Sequence, residues 1–244
     1  GKGALPWNHS QNLGAIGVTG TSAANTISKD ADLVICIGTR LSDFTTASKT
    51  LFQNPDVKFL SINVSSFDAH KHSSVSLIGD AKKCLERLNH LLKNDGFSIS
   101  VKYRAEIKQH KNDWNQEVDR IFNLDNQPAV SQGEVIGVIS NSMNEDDVVV
   151  CAAGSLPGDM HKLWRSVNGD QYHMEYGYSC MGYEVAGGLG IKMAKDSGDV
   201  FVMVGDGSYL MMNSEIVTAV QENEKLIIIP VSYTHLTLPT NREV

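Results

Sequence analysis

Residues 205–208, Gly-Asp-Gly-Ser, place a carboxylate between two glycines. The side chain of Asp206 offers a hard oxygen ligand of the type that binds magnesium. Because glycine has no Cβ, Gly205 and Gly207 can take positive φ angles and bring backbone N–H groups close to a phosphate. Gly-Asp-Gly is also a common surface turn, which needs no ligand to explain it. The residue types therefore allow a magnesium and diphosphate site, and the neighbouring elements must decide between the two interpretations.

The sequence on either side of this turn favours the binding site. Residues 200–204 form a short apolar run rich in valine, which predicts a buried parallel strand. A helix is predicted over residues 213–222 and a further strand over 226–231. The turn thus falls at the carboxyl end of a strand, which is where open α/β sheets bind their ligands.

A second glycine-rich turn follows a second predicted strand. Residues 147–152 have the pattern of a strand and lead into Ala-Gly-Ser-Leu-Pro-Gly at 153–158. Two such turns at one edge of a parallel sheet can flank a single ligand. Further along, the small residues Ala186, Gly187 and Gly190 recur in a helical pattern. They predict a helix that packs very close to a neighbour or a cofactor.

The first part of the chain, residues 1–93, is predicted to form a Rossmann-like parallel sheet. Its predicted strands cover residues 31–38, 58–64 and 75–78, the first of them buried. Asp80 is expected to cap a helix whose leucines recur at helical spacing. No Gly-x-Gly-x-x-Gly motif opens a helix here, so a structural sheet is favoured over dinucleotide binding. Beyond it, a polar helix is predicted at 101–122, and Ser131 with Glu134 predicts a capping box for the next helix.

The amino-acid composition and net charge limit the classes of protein to which the chain can belong. The chain has 244 residues, of which 41% are hydrophobic and 20% charged, and its net charge is −7. These values are typical of a globular protein, and the negative charge disfavours nucleic acid or an anionic membrane as the partner. The four cysteines include no Cys-x-x-Cys pair, which favours reduced thiols. No apolar stretch approaches the roughly 20 residues of a membrane span, and no signal peptide is visible, so a cytoplasmic protein is expected.

Taken in order, these motifs resemble the thiamine-diphosphate-dependent enzyme superfamily. Residues 205–208 with the following helix and strand are similar to its signature, which runs from Gly-Asp-Gly to a paired Asn. Met181-Gly182-Tyr183 resembles the segment whose bulky residue supports the bent cofactor. Residues 1–4, 31–34, 38–41 and 79–81 are similar to parts of its central domain. The resemblance implies thiamine diphosphate and Mg²⁺ as cofactors.

Carried over residue by residue, the resemblance implies a set of cofactor-binding residues. They are Gly154, Ser155, Leu156, Met181, Gly182, Gly205, Asp206, Gly207 and Ser208. Asp206 is also the implied magnesium ligand, and Met181 the implied support of the thiazolium ring. Tyr233 stands where the superfamily has its second metal-binding Asn, and Ser232 replaces the residue paired with it. The glutamate that activates the cofactor lies in an upstream domain, and nothing before Gly1 supplies it, so no catalytic residue is assigned.

One branch of the superfamily resembles this chain most closely. Residues 153–159 and 175–185 are similar to segments of the hydrolases that open a cyclic diketone in myo-inositol breakdown. That likeness implies hydrolytic C–C cleavage to 5-deoxyglucuronic acid and a homodimer or homotetramer. His161, His173 and Glu175 lie in the right segment to be considered for proton transfer. Two alternatives stay open: an acetolactate-synthase-like carboligase or decarboxylase, and a non-catalytic nucleotide-binding module.

The resemblance also implies a division of the chain into domains. Residues 1–93 would be the central Rossmann-like domain, 94–128 a linker helix, 129–231 a truncated diphosphate-binding domain, and 232–244 a non-native tail. We therefore expect an internal fragment that is inactive alone.

Overall fold

The computed structural model describes residues 2–232, and their contacts divide the chain into two compact units. One unit is Leu13–Asn115, and the other joins the first twelve residues to the chain from Gln116 onward. Each is an α/β unit, and every strand pairing within the described residues is parallel, which confirms the predicted fold class. The domain limits drawn from the sequence stay a prediction.

The Leu13–Asn115 unit is built on a three-stranded sheet. Its strands are β1 (Leu33–Ile37), β2 (Lys58–Asn63) and β3 (Val75–Ile78), hydrogen-bonded in that order. Its helices are α1 (Ser22–Lys29), α2 (Asp43–Thr46), α3 (Ser66–Ala69) and α4 (Ala81–Asn94), and the first part of α5 (Val101–Phe122) also lies here. Asp80 caps α4 by accepting a hydrogen bond from the Lys83 N–H at 3.0 Å, as predicted.

The expectation that the first strand is buried is wrong. Of the five residues of β1 only Cys36 is buried, and Leu33, Ile35 and Ile37 are each more than two-fifths exposed. The cause is position, because β1 is an edge strand of a small sheet and its alternate side chains face solvent.

The second unit contains a four-stranded sheet. Its strands are β4 (Val148–Cys151), β5 (Tyr172–Met174), β6 (Val200–Gly205) and β7 (Ile227–Val231), in the spatial order β5-β4-β6-β7. Its helices are α6 (Gln132–Ser142), α7 (Ser155–Leu163), α8 (Tyr183–Ala194), α9 (Asp206–Met211) and α10 (Glu215–Gln221). β5 was not predicted, because a three-residue strand is too short to show an alternating pattern.

Valines of the two central strands, together with one valine of helix α8, make the core of this unit. The cluster consists of Val148, Val150, Val185, Val200, Val202 and Val204, each at most 3% exposed. A parallel strand covered on both faces requires such a continuous β-branched run. The prediction of a buried parallel strand at residues 200–204 is confirmed.

The Gly-Asp-Gly segment differs from its predicted form. Strand β6 passes directly into helix α9, so Asp206 is a helical residue and not the tip of a turn. Gly205 has a φ of −69°, and Gly207 is not among the glycines with positive φ, so the expected left-handed glycines are absent from this segment. The helix expected at 213–222 is the later and shorter α10.

The close approach predicted for the small residues of α8 occurs at a different glycine. A Cβ built on Gly188 would lie 2.5 Å from Val202 Cγ2, whereas one on Gly190 would meet nothing within 4 Å. Ala186 is exposed, and the atoms nearest to a Cβ on Gly187 would be those of the Tyr183 ring in the same helix. Within this chain the close approach is therefore made by Gly188, because helical rotation turns Gly188 and not Gly190 toward β6.

The contrast between these two glycines gives a stability prediction. Gly188→Ala should lower the free energy of unfolding by about 1–3 kcal/mol, because the buried Val202 cannot move away from the added methyl. Gly190→Ala should leave stability unchanged or raise it by up to about 1 kcal/mol, since alanine favours the helix. Urea denaturation of both variants measures the difference. Equal stability of the two would contradict the packing described.

The capping box predicted at Ser131 is present at the start of α6. The Ser131 hydroxyl accepts the Glu134 N–H at 3.3 Å, and the Glu134 carboxylate accepts the Ser131 N–H at 2.6 Å. The same carboxylate also accepts the backbone and side-chain N–H groups of Asn126, at 3.0 and 3.2 Å. These donors, with the Ser131 N–H contributing most, lower the pKa of Glu134 from 4.5 to about 2.

The lowered pKa gives a pH dependence with a defined sign. A carboxylate whose pKa falls on folding stabilises the protein above its ordinary pKa of 4.5, and that contribution is lost as the pH falls toward about 2. Glu134→Gln should therefore destabilise the chain at pH 7 and make its urea midpoint fall less between pH 6 and pH 3 than that of the parent. The exposed Glu86→Gln is the control, and an identical pH profile for both variants would refute the assignment.

Candidate functional site at the carboxyl edge of the four-stranded sheet

The two predicted turns meet at one edge of the sheet. Strands β4 and β6 are parallel neighbours, with Val150 opposite Val202, so their carboxyl ends lie side by side. Helix α7 begins shortly after β4, at Ser155, and α9 follows β6 at Asp206. The site is therefore framed by two strand ends and the helices that leave them.

The predicted cofactor-binding residues differ in exposure. Gly154, Ser155, Met181 and Gly207 are exposed, Gly205 and Asp206 are partly buried, and Leu156, Gly182 and Ser208 are buried. The exposed members have surface available to a ligand, whereas Leu156, Gly182 and Ser208 are closed to solvent in this chain.

The first turn depends on Gly154. Its φ of +90° and ψ of −159° fall in a region that is essentially restricted to glycine, and a Cβ there would meet nothing within 4 Å. Open space therefore lies in front of the turn, next to the exposed Ser155. Leu156, at 1% exposure, points into the core and anchors α7.

Asp206 is held by hydrogen bonds to both of its carboxylate oxygens. Oδ1 accepts the Gly207 N–H at 2.8 Å, and Oδ2 accepts the hydroxyl of Ser232 at 2.8 Å. Ser232 directly follows Val231, which pairs with Gly205 in the sheet. Tyr233, the position at which the second metal-binding residue was expected, lies outside the described residues.

A buried glutamate that we did not assign a role from the sequence connects the segments of the site. Glu184 is 1% exposed; its Oε1 accepts the Ala153 N–H at 3.2 Å, and its Oε2 accepts the Gly182 N–H at 3.2 Å and the Ser208 hydroxyl at 2.7 Å. The Gly182 nitrogen also lies 2.7 Å from Ser208 Oγ, to which its N–H donates. One carboxylate thus ties the β4–α7 turn, the start of α8 and helix α9 together.

Met181 and Gly182 stand beside this network. Gly182 has a φ of +91°, and a Cβ on it would come within 2.6 Å of the Met212 side chain, so only glycine fits here. Met181 is 50% exposed, and its Cε would lie 3.7 Å from a Cβ on Gly207. The methionine side chain therefore lies at the edge itself, close to the Gly-Asp-Gly segment.

Of the three residues considered for proton transfer, Glu175 and His173 have hydrogen-bond partners, whereas the buried Nδ1 of His161 has none among the described residues. Glu175 accepts the N–H groups of Tyr178 at 3.1 Å and Cys180 at 2.9 Å, and these bonds, that of Cys180 foremost, lower its pKa. His173 Nε2 lies 2.7 Å from the Tyr183 hydroxyl. Burial, followed by the nearby Lys2, lowers the pKa of His161 to about 4. Glu175 therefore shapes the loop that leads to Met181.

The donor set at the edge fits a magnesium-bound diphosphate. Magnesium is usually held by one or two protein carboxylates together with phosphate oxygens. Asp206 supplies one partly exposed carboxylate, and Gly154 and Gly207 leave room beside it. Between residues 2 and 232 no group of three or more His, Cys, Asp or Glu could hold a metal ion unaided.

The comparison with family models identifies the class. Residues 1–88 match the model described as "Thiamine pyrophosphate enzyme, central domain", and residues 152–232 match "Thiamine pyrophosphate enzyme, C-terminal TPP binding domain". The two matched segments together cover more than half of the chain and include the whole edge described above. The chain belongs to the thiamine pyrophosphate enzymes, and the resemblance inferred from its motifs is confirmed.

Comparison with individual curated proteins shows which thiamine pyrophosphate enzymes the chain is similar to. The chain is 45% identical over 253 residues to the 3D-(3,5/4)-trihydroxycyclohexane-1,2-dione hydrolase of Clostridium tetani, with 94% of this chain and 39% of that protein covered. It is 47% identical to the hydrolase of the same name from Clostridium perfringens (94% and 39% covered) and 49% identical to that from Bacillus cereus (93% and 38%). The chain spans about two-fifths of the length of these relatives. No helix within residues 2–232 is long and apolar enough to cross a membrane.

One feature of the sequence indicates that Glu184 has a structural role. It is a charged residue in the first turn of a helix that is mainly apolar and rich in glycine, and a buried carboxylate in that position is expected to accept hydrogen bonds. The identity of its donors could not be inferred, because Ala153 and Ser208 are distant in sequence and only the fold brings them together.

Removing one acceptor atom from this network tests its importance. Glu184→Gln should lower the free energy of unfolding by about 2 kcal/mol, because the new amide N–H₂ must face a buried N–H or hydroxyl donor. The exposed Glu222→Gln should change stability by less than about 0.5 kcal/mol. Chemical denaturation measures both. A loss no greater in the Glu184 variant than in the control would show that the network is dispensable.

Proposed function

We propose that the whole protein hydrolyses a C–C bond of 3D-trihydroxycyclohexane-1,2-dione and opens its ring to 5-deoxyglucuronate in myo-inositol degradation, using thiamine diphosphate and Mg²⁺. The observation that carries this proposal is the identity of 45–49% across 93–94% of the chain to hydrolases of that name. Since the chain spans about two-fifths of their length, the activity is assigned to the whole protein, and the chain alone is expected to be inactive.

Asp206 is the proposed magnesium ligand. Its Oδ1 is fixed by the Gly207 N–H, so the carboxylate plane is set before a metal arrives. The Ser232 hydroxyl that now bonds Oδ2 would move aside for the ion or share that oxygen with it. The backbone at Gly154, Ser155, Gly205 and Gly207 would hold the diphosphate beside it.

Met181 is the proposed support for the thiazolium ring. Half of its surface is free, and it lies over the Gly-Asp-Gly segment where the diphosphate would be anchored. When bound, thiamine diphosphate supplies the electron sink for cleavage of the C–C bond. The protein's part is to hold that ring in a fixed orientation, and a thioether packs well against an aromatic face.

The buried members of the predicted set have a supporting role in this proposal. Leu156, Gly182 and Ser208 are closed to solvent, and the Ser208 hydroxyl donates a hydrogen bond to Glu184. These residues hold the turns after β4 and β6 at a fixed distance from each other. The groups that bind the ligand therefore need not reorganise when it arrives.

The assembly and location of the whole protein are also proposals. Exposed apolar side chains beside the edge, among them Tyr178 at 87% and Leu210 at 72%, support burial against a second subunit in a homodimer or homotetramer. The four free cysteines are compatible with a reducing compartment, and we propose the cytoplasm.

Replacement of the proposed metal ligand tests the function. In the full-length protein, Asp206→Ala should lower the rate of ring opening about 100-fold or more at saturating substrate, because the diphosphate loses its magnesium anchor. Excess Mg²⁺ should not restore the rate. The measurement is consumption of the dione with and without added thiamine diphosphate.

The exposed Asp196→Ala, in the loop after α8, is the matched control and should retain full activity. Ring opening by the Asp206 variant at the parental rate, or by parent protein stripped of the cofactor, would overturn the proposal. Turnover of pyruvate in place of the dione would favour the carboligase alternative.

A further inference from the structure

A cavity beside the edge strand β5 contains side chains that the proposed hydrolysis does not use. Its volume is about 370 Å³, which is within the range of small-molecule sites. Helix α7 contributes His161 to its lining, and β5 contributes Tyr172 and Met174. The first residues of the chain contribute Lys2. None of the described residues in this lining is acidic.

The first residues of the chain are fixed against α7 and β5. They belong to the same compact unit as these two elements. The Trp7 N–H donates to the Ser166 carbonyl at 2.8 Å, and a Cβ built on Gly3 would lie 3.0 Å from the Gly169 carbonyl oxygen. The backbone that carries Lys2 is therefore held at the cavity by its own contacts, and its side chain is free to meet a ligand there.

The amine of Lys2 lies in a setting that disfavours its charged form. Nζ donates to the His161 carbonyl at 2.6 Å and lies 5.9 Å from the centre of the Tyr172 ring. It forms no ion pair with any carboxylate of residues 2–232. Burial lowers the pKa of Lys2 from 10.5 to about 7. Near neutral pH about half of the molecules therefore carry the uncharged amine, which is the nucleophilic form.

The titratable side chains around Lys2 are uncharged near neutral pH. Burial lowers the pKa of His161 to about 4, so its imidazole is neutral. Burial raises the pKa of Cys151 to about 12 and that of the Tyr172 phenol well above 10, so both stay protonated. These groups can form hydrogen bonds to a ligand, but they cannot balance the charge of an ion.

One polar atom of the lining residues has no partner. His161 Nδ1 is buried and makes no hydrogen bond within residues 2–232. Such a nitrogen costs free energy that a polar ligand can recover. The Tyr172 hydroxyl is bonded only weakly, to the sulfur of Met174 at 3.1 Å. With a partly charged amine and neutral neighbours, the cavity suits an uncharged polar ligand better than an anion.

We propose that this cavity binds a small aldehyde or ketone and that the Lys2 amine forms an imine with its carbonyl carbon. The amine nitrogen adds to the carbonyl carbon, the carbinolamine loses water, and a C=N bond replaces the C=O bond. The carbonyl oxygen leaves as water with the two amine hydrogens, so no oxidant or reductant is consumed. The neutral His161 imidazole accepts a proton from the nitrogen and returns it to the departing oxygen. Neither Asp206 nor thiamine diphosphate takes part, so the test is separate from that of the proposed hydrolysis.

Trapping with propanal and sodium cyanoborohydride tests the proposal on the 244-residue chain. The reductant converts an imine into a stable secondary amine, and fragmentation of the peptides in a mass spectrometer distinguishes Lys2 from the α-amino group. At pH 7 Lys2 should be labelled at least about tenfold faster than the exposed Lys82, because an exposed lysine amine is almost entirely protonated at that pH. The rate at Lys2 should rise with pH and level off, with a midpoint near 7. Labelling of Lys2 no faster than that of Lys82 would overturn the proposal.

Two further measurements show whether the folded cavity is responsible. In urea that unfolds the chain, Lys2 and Lys82 should be labelled at similar rates, because burial no longer lowers the pKa of Lys2. His161→Phe keeps an aromatic ring but removes Nδ1, and should slow the labelling of Lys2 at least about tenfold. The exposed His90→Phe is the control and should not slow it. Thermal unfolding checks that both variants are folded. A faster rate at Lys2 that persists in urea, or equal rates in the two variants, would contradict the proposal.

Discussion

The arrangement of the candidate site depends on a single buried carboxylate. Glu184 accepts hydrogen bonds from Ala153, Gly182 and Ser208, which belong to three segments separated by tens of residues in sequence. A buried charge is costly unless such donors satisfy it, and a satisfied one holds its donors in a fixed arrangement. The relative positions of the two turns and of Met181 follow from where this carboxylate lies.

That carboxylate is placed by the packing of α8 on the sheet. Gly188 allows the helix backbone to approach Val202, and Val185 joins the valine cluster between the helix and the strands. The helix axis is therefore fixed close to β6, which directs the first turn of α8 and its glutamate to the strand ends. Core packing and site geometry are coupled through this one helix.

Much of the fold was predictable because it rests on local pattern. The valine run of β6, the Asp80 cap and the Ser131 capping box each follow from adjacent residues, and each was found where the sequence placed it. The identity of the close-packed glycine in α8 was not predictable, since it depends on the rotation of the helix against β6. The partners of Glu184 were unpredictable for a related reason, because a hydrogen bond between distant segments leaves no local pattern.

The predicted site residues divide into two groups that a motif alone does not distinguish. Asp206, Gly207, Gly154 and Met181 have surface at the edge and can contact a ligand. Ser208 belongs to the same tetrapeptide as Asp206, yet its hydroxyl is committed to Glu184 and is closed to solvent. Adjacent residues of a short helix point in different directions, so one turn of α9 carries the proposed metal ligand on its open side and a scaffold bond on its buried side. A signature of this kind therefore combines the residues that bind with the residues that hold the binding groups in place.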